Sequence, residues 1–288
     1  ILDIKDGKHA VIDHFIDDFV ANDIFLDNED RKIVILTGPN MAGKSTYLRQ
    51  NALMAIMAQM GSLVPAAYAK IPIFDQIFTR VGASDDIGQG QSTFMVEMRE
   101  LAHIMKYATS QSLVLLDEVG RGTSTTDGLA IAIATIEHIS EKIGAKTLFA
   151  THYHELSSAE GKVSGVVNLS MSVEKNGNDI KFLRKVKDGG TKESHGIFVA
   201  KMAGLPDSIV KRSEKIHRKL VFSYNFDEEV FEKERGVDLS NVHEEIKRLR
   251  FFLEEFASMD EAGSHHALVT KIKELKLTAQ KLRESEEK

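Results

Sequence analysis

The chain contains no cysteine, which excludes disulfides and thiolate metal centres and agrees with a reducing compartment. No apolar run approaches the roughly 20 residues that a helix needs to cross a bilayer, so no membrane association is expected. No secretory leader is visible either. The first residue is Ile1 rather than methionine, as expected of a piece of a longer protein. Basic residues are not in excess: 37 Lys and Arg stand against 43 Asp and Glu, a formal net charge of −6. That balance argues against strong nucleic-acid binding by this piece alone. Low-complexity tracts and long repeats are also missing. What is present is ordinary for a globular protein: 42% hydrophobic and 28% charged residues over 288 positions, enough for one large domain and an appendage.

Against that background Gly38 to Ser45 stands out, reading Gly-Pro-Asn-Met-Ala-Gly-Lys-Ser. The short β-branched run Ile33 to Leu36 before it has the composition of a strand buried in a parallel sheet. Tyr47 to Met60 after it is rich in Leu, Met, Ala and Gln and predicts a helix. A loop in this setting turns successive backbone N–H groups inward around a polyphosphate, aided by the positive end of the helix dipole. Gly43 permits close backbone approach, Lys44 reaches the β and γ phosphates, and the Ser45 hydroxyl can ligate Mg²⁺. The candidate nucleotide-binding set is therefore Gly38, Pro39, Asn40, Met41, Ala42 and Gly43, continuing through Lys44, Ser45 and Thr46.

Strands are expected at Ile1 to Ile4, Ala10 to Ile12 and Ile24 to Leu26, and again at Ile77 to Val81. A glycine-rich polar loop, Gly82 to Gln91, leads to Ser92, which sits where a helix N-cap belongs. Met95, Met98, Leu101, Ala102 and Met105 then recur at helical spacing. Leu113 to Glu118 reads as a buried strand ending in two carboxylates. Thr126-Asp127 opens a helix over Leu129 to Ile143, and Thr147 to Ala150 is another buried strand. This alternation predicts a three-layer α/β domain with a mostly parallel sheet. From Val166 to Val186 the period changes to two, with Asn176-Gly177 as a tight turn. Helix, break and helix follow over 197–220, with the break at Gly204-Leu205-Pro206. Residues 221–240 read as an acidic connector. In 241–288, Val242, Ile246, Leu249, Leu253 and Phe256, then Leu268, Ile272, Leu275, Ala279 and Leu282, suit a coiled-coil or helical-hairpin seam or an amphipathic helix packed on its own domain.

Nucleotide hydrolysis needs a metal ligand and a group that orients or deprotonates water. Asp117 would hold Mg²⁺ alongside Ser45, and Glu118 would be the general base or position the water. His152 follows the last buried strand and could sense a γ-phosphate. A metal cluster of His152, His154 and Glu155 competes with that reading, while an exposed loop histidine is the plainer account of His154.

These stretches together resemble the C-terminal ATPase domain of the MutS mismatch-repair family, within the ABC-type ATPases. The match runs through Phe19 to Asn22, Thr37 to Gln50, Ile77 to Glu97, Leu116 to Gly128, Phe149 to Leu156 and Ser194 to Pro206, covering most of residues 1–217. The resemblance implies an ABC-type P-loop NTPase domain over 1–196 and a helix-turn-helix over 197–220 that clasps a second subunit. Phe19 would stack on adenine, with Arg184 in place of the family's usual histidine on the other side. Ser92 would act in trans on the partner's nucleotide, Arg121 to Ser124 would cross the interface, and His152 would be the switch histidine. A homodimer with composite ATP sites follows, DNA-dependent in the full-length protein, coupling nucleotide state to mismatch binding and sliding-clamp formation. Mismatched DNA would be held by domains absent from this chain, a MutL-type protein would be a partner, and the location would be the bacterial cytoplasm, near the nucleoid.

Four other readings compete. A transporter motor usually carries Leu-Ser-Gly-Gly-Gln, and Gly90 to Phe94 lacks it. A chromosome-type ATPase needs a long coiled-coil insertion, yet Asp117 follows Lys44 by only 73 positions. A MutS paralogue acting in recombination is the nearer rival, and a scaffold without nucleotide is opposed by the intact Lys44, Ser45, Asp117 and Glu118.

Overall fold

The structure, a computed structural model, describes residues 1–82, 92–176, 179–191 and 196–223. Most of the Gly82 to Gln91 loop, Gly177 of the expected turn, the connector beyond Ser223 and the C-terminal region 241–288 lie outside the described residues.

The described residues form two sheets. Strands β1 (Leu2–Gly7), β2 (Asn22–Leu26) and β4 (Tyr68–Lys70) form an antiparallel sheet in the order β2-β1-β4. Strands β3 (Ile33–Thr37), β5 (Ile77–Arg80), β6 (Leu113–Asp117), β7 (Lys146–Ala150), β8 (Val166–Asn176) and β9 (Asp179–Asp188) form a six-stranded sheet in the order β5-β6-β7-β3-β8-β9. All its pairings are parallel except the β8–β9 hairpin. The expected mostly parallel sheet is therefore present, with an antiparallel edge.

Period-two alternation sorts each central strand between two cores. Val34, Leu36, Leu113, Leu115, Leu148 and Ala150 face helix α1 (Lys44–Gln59) and the smaller sheet. Ile33, Ile35, Val114, Leu116 and Phe149 face α2 (Thr93–Tyr107) and α3 (Thr125–His138). Helix α1 lies between the two sheets, which is why it buries polar as well as apolar positions. The buried polar side chains bond to backbone carbonyls: Tyr47 OH donates to Asp23 O at 2.7 Å, Gln50 Nε2 to Gly7 O at 2.9 Å, and Asn51 Nδ2 to Tyr47 O at 2.8 Å, while Asn51 Oδ1 is left without a partner.

Several local expectations change. Ala10 to Ile12 is not a strand but a turn leading into a 3-10 turn at Ile12–His14, because His9 Nδ1 accepts the N–H groups of Val11 and Ile12, both at 3.3 Å. Helix α3 begins earlier, at Thr125, where Ser124 accepts the N–H of Asp127. It passes into a π turn, Ile139–Ile143, that ends at the left-handed Gly144. Two helices, α4 (Gly196–Met202) and α5 (Asp207–Ser223), flank the Gly204 to Pro206 break, so the first three residues of the expected connector are helical.

Asn22 ties the sheets together. It is 4% exposed; its Nδ2 donates to Val20 O at 3.1 Å and Arg184 O at 2.9 Å, and its Oδ1 accepts Val186 N at 2.7 Å. Asn22→Ala leaves those part-buried backbone groups without their side-chain partner and is expected to lower the unfolding free energy by about 1–3 kcal/mol. Urea denaturation measures this, and a loss below about 0.5 kcal/mol, the usual span of a neutral surface change, would contradict the role.

Candidate functional site

Strands β6, β7 and β3 run parallel and side by side, so the segments after their carboxyl ends share one edge. The loop after β3 carries Gly38 to Ser45, Asp117 ends β6, and His152 follows β7. Gly43 forms the N-cap of α1 at φ +104°, the left-handed region, and a Cβ there would stand 3.2 Å from Met171 Cε. Glycine is thus favoured by the turn, and the flexible Met171 tip would have to shift for any larger residue.

A cavity of about 660 Å³ opens along this edge. Lys44, Ser45, Asp117 and Glu118 line it together with Pro39, Asn40, Met41, Gly43 and Thr46. Gly38 and Ala42 do not line it, although Gly38 supplies a carbonyl to Lys44. Lys44 is 5% exposed and folds back over the loop, its Nζ donating to Gly38 O at 2.7 Å, Pro39 O at 3.3 Å and Asn40 Oδ1 at 3.4 Å. Burial pushes its pKa below the usual lysine range, opposed by the nearby Glu118 and Asp117 carboxylates.

Asp117 shows the opposite strain. Burial raises its pKa, with Glu118 adding to the effect, while a hydrogen bond from Ser45 and the charges of Lys44 and Arg49 pull it down. Its Oδ1 is buried without a hydrogen-bond partner. A buried, unpaired carboxylate oxygen next to a serine hydroxyl is a donor set suited to a hard divalent cation such as Mg²⁺. The residues present therefore fit that ion. Among the described residues no group of three or more His, Asp or Glu could hold a metal, so the competing cluster at His152, His154 and Glu155 is not formed. His154, expected as an exposed loop residue, is instead half-buried and its Nδ1 lies 2.7 Å from Thr191 O.

Glu118 lies just beyond β6 rather than within it, at φ +54°. Its N–H donates to Ala150 O at 2.9 Å, and its Oε2 accepts from Arg121 Nη1 at 2.5 Å. His152 is exposed and does not line the cavity; its ring stacks on Tyr153 at 4.1 Å between centroids. Partial burial holds its pKa below the usual histidine range, against the pull of Glu118. Ser92 is exposed and caps α2, accepting the Met95 N–H at 3.3 Å, and only its neighbour Thr93 reaches the cavity wall.

Phe19 and Arg184 line a second cavity, of about 230 Å³, with Ile12, Ile16 and Met171. Met41, Gly43 and Thr46 line both cavities, so the two meet across the first turn of α1. Sequence reasoning missed Arg49, Arg80 and Glu97 in the larger cavity. A signal for two of them existed: Arg80 ends an apolar strand and Glu97 interrupts an apolar helix face.

The family model for MutS domain V matches residues 34–221. The DNA mismatch repair protein MutS of Lachnoclostridium phytofermentans is 61% identical over 219 residues, covering 75% of this chain and 24% of that protein. The protein of the same description from Acetivibrio thermocellus is 59% identical over 221 residues, covering 76% and 25% respectively. That of Clostridium beijerinckii is 53% identical over 253 residues, covering 84% and 27%. The chain thus spans about a quarter of the length of the curated relatives it matches.

Because folding raises the Asp117 pKa, its ionised form opposes folding above that pKa, and the opposition vanishes as pH falls through it. Asp117→Asn is therefore expected to stabilise the ligand-free chain at neutral pH by about 1 kcal/mol, with the gain shrinking toward zero in mild acid. Urea denaturation at the two pH values checks this, and a variant less stable than the parent at neutral pH would refute it.

Proposed function

The chain belongs to the MutS family, and from that premise we propose that it is the ABC-type ATPase part of a DNA mismatch-repair protein, hydrolysing ATP to ADP and phosphate. The observation that carries the reading is the buried, unpaired Asp117 oxygen beside Ser45, in a cavity that also receives Lys44 and Glu118. The backbone amides of Gly38 to Thr46 would bind the triphosphate, with Lys44 exchanging its loop carbonyls for β- and γ-phosphate oxygens. Ser45 and Asp117 would hold Mg²⁺, which when bound neutralises charge on those phosphates. Glu118 would orient the attacking water and accept its proton. In the second cavity Phe19 and Arg184 would take the two faces of adenine, the guanidinium stacking on the flat ring. The continuity of the two cavities across α1 suits a nucleotide with base and phosphates on either side of one helix turn.

The partner subunit enters the same proposal. Exposed Ser92, at the head of α2, would reach the nucleotide of the second protomer, and His152 would report the γ-phosphate. The pair α4–α5 would act as the helix-turn-helix that clasps the partner. Arg121 now engages Glu118 and is itself exposed. Drawn across a dimer interface, it would release the Glu118 carboxylate, and an isolated protomer should hydrolyse ATP poorly. ATP held between two protomers would favour one global state, and hydrolysis would release it. In the longer protein that change would couple to mismatched DNA, clamp formation and a MutL-type partner in the bacterial cytoplasm. The 53–61% identity to mismatch-repair proteins favours this reading over a recombination paralogue.

In the full chain, Glu118→Ala is expected to lower kcat for ATP by about 10²- to 10⁴-fold while retaining Mg²⁺-dependent binding of a labelled ATP analogue. Lys44→Ala is expected to lose both. Steady-state phosphate release and equilibrium binding measure the two effects, and parental hydrolysis by both variants would refute the assignment.

A further inference from the structure

The backbone of Gly120, two residues beyond Glu118, is gripped by buried side chains that the scheme above leaves unused. Its N–H donates to Glu97 Oε1 at 2.6 Å, and its carbonyl accepts from Tyr153 OH at 3.0 Å. Glu97 is 5% exposed and Tyr153 is 3% exposed, so both bonds lie away from water, where they are strong if made and expensive if broken. A third contact is backbone on backbone: a Cβ on Gly120 would stand 2.6 Å from Gly128 Cα, and one on Gly128 would stand 2.2 Å from the Tyr153 hydroxyl oxygen. Helix α2, helix α3 and the segment after β7 therefore converge on a single residue.

That residue bears on Glu118. A non-glycine residue at φ +54° is held there only when its surroundings over-determine it. The Ala150 carbonyl holds the amide of Glu118, and the grip on Gly120 fixes the chain on its other side. Glu97 is placed on the side of α2 that buries Leu101 and Ile104, where a carboxylate is unfavourable unless paired. It has two partners, the Gly120 amide and Arg80, whose Nη2 lies 3.8 Å away and whose Nε meets Glu100 at 3.0 Å. Its charge thus joins β5, α2 and the segment after β6.

We infer that Glu97 is a positioning residue for Glu118: it fixes the turn that aims the Glu118 carboxylate into the larger cavity. Glu97 stands five residues after Ser92, the cap of the same helix, so the aim of Glu118 depends on where α2 sits. A helix whose head meets a second protomer would in this way influence the hydrolytic carboxylate of its own protomer. Tyr153 completes the grip and carries it to His152, on which its ring stacks. The inference rests on the reading of Glu118 as the residue that orients water.

The test compares Glu97→Ala, Glu97→Gln and Tyr153→Phe with the parent, using Lys44→Ala as the control, all in the full chain. Glu97→Ala is expected to lower kcat by about 10- to 100-fold with KM for ATP changed less than about twofold, the pattern of a lost transition-state contribution. Glu97→Gln keeps an acceptor oxygen for the amide and should recover most of that loss. Amide exchange at Gly120 should quicken in the alanine variant and stay near parental in the glutamine variant. Tyr153→Phe removes one hydroxyl and reads the same grip if Glu97→Ala does not fold; its kcat should fall with KM unchanged. Parental kcat in Glu97→Ala, or in Tyr153→Phe where the alanine variant is unfolded, overturns the inference while an inactive Lys44→Ala leaves the ATPase reading standing. Hydrolysis unaffected by Lys44→Ala overturns that reading, and the inference falls with it.

Discussion

The central strands of the six-stranded sheet are buried on both faces, and the rest of the molecule follows from that constraint. Every residue of β3 and β7 is buried, so neither face of these strands can present a functional group to solvent. Polar side chains that must meet a ligand are driven to the segments after the strands, where the ladder of backbone bonds stops and unpaired groups become available. Because β6, β7 and β3 are neighbours and parallel, those segments lie at one edge. The cavity with Lys44, Ser45, Asp117 and Glu118 is the result of that alignment rather than of any single motif.

The same edge carries electrostatic strain. Lys44 has its charged form disfavoured by burial, and so does Asp117, each with only partial compensation from neighbours. Such sites lie away from the stability optimum of the fold, a common mark of groups arranged for a ligand. The rigid surroundings make the strain tolerable. Tyr47, Gln50 and Asn51 bond α1 to the smaller sheet and to itself, and Asn22 bonds that sheet to β9. The base-side cavity is built across this junction, between the segment holding Phe19 and the strand holding Arg184.

Much of this was legible in the residues. The strand–loop–helix around Gly38 to Ser45, the buried strand at Ile33 to Leu36, the cap at Ser92 and the strand from Leu113 all depend on local composition, and each is found where it was expected, the last ending at Asp117, one residue short of Glu118. Ala10 to Ile12 was misread because apolar content resembles a strand, while the His9 ring satisfies two amides and closes a turn instead. β4 was missed because three residues, Tyr68–Lys70, carry too little pattern to distinguish from loop. His154 was misplaced because its partner, Thr191 O, lies 37 positions away.

Local spacing and side-chain chemistry alone determined the strand–loop–helix at Gly38 to Ser45 and the identities of the charged groups near it, since a turn or a cap is decided by a few adjacent residues. Only the tertiary structure decided that Glu97 grips Gly120, that Asp117 keeps an oxygen without a partner, and that Phe19 and Arg184 share a cavity. These relations join positions 23 to 165 residues apart in the chain, and no periodicity within a segment encodes which distant backbone group a buried side chain will meet.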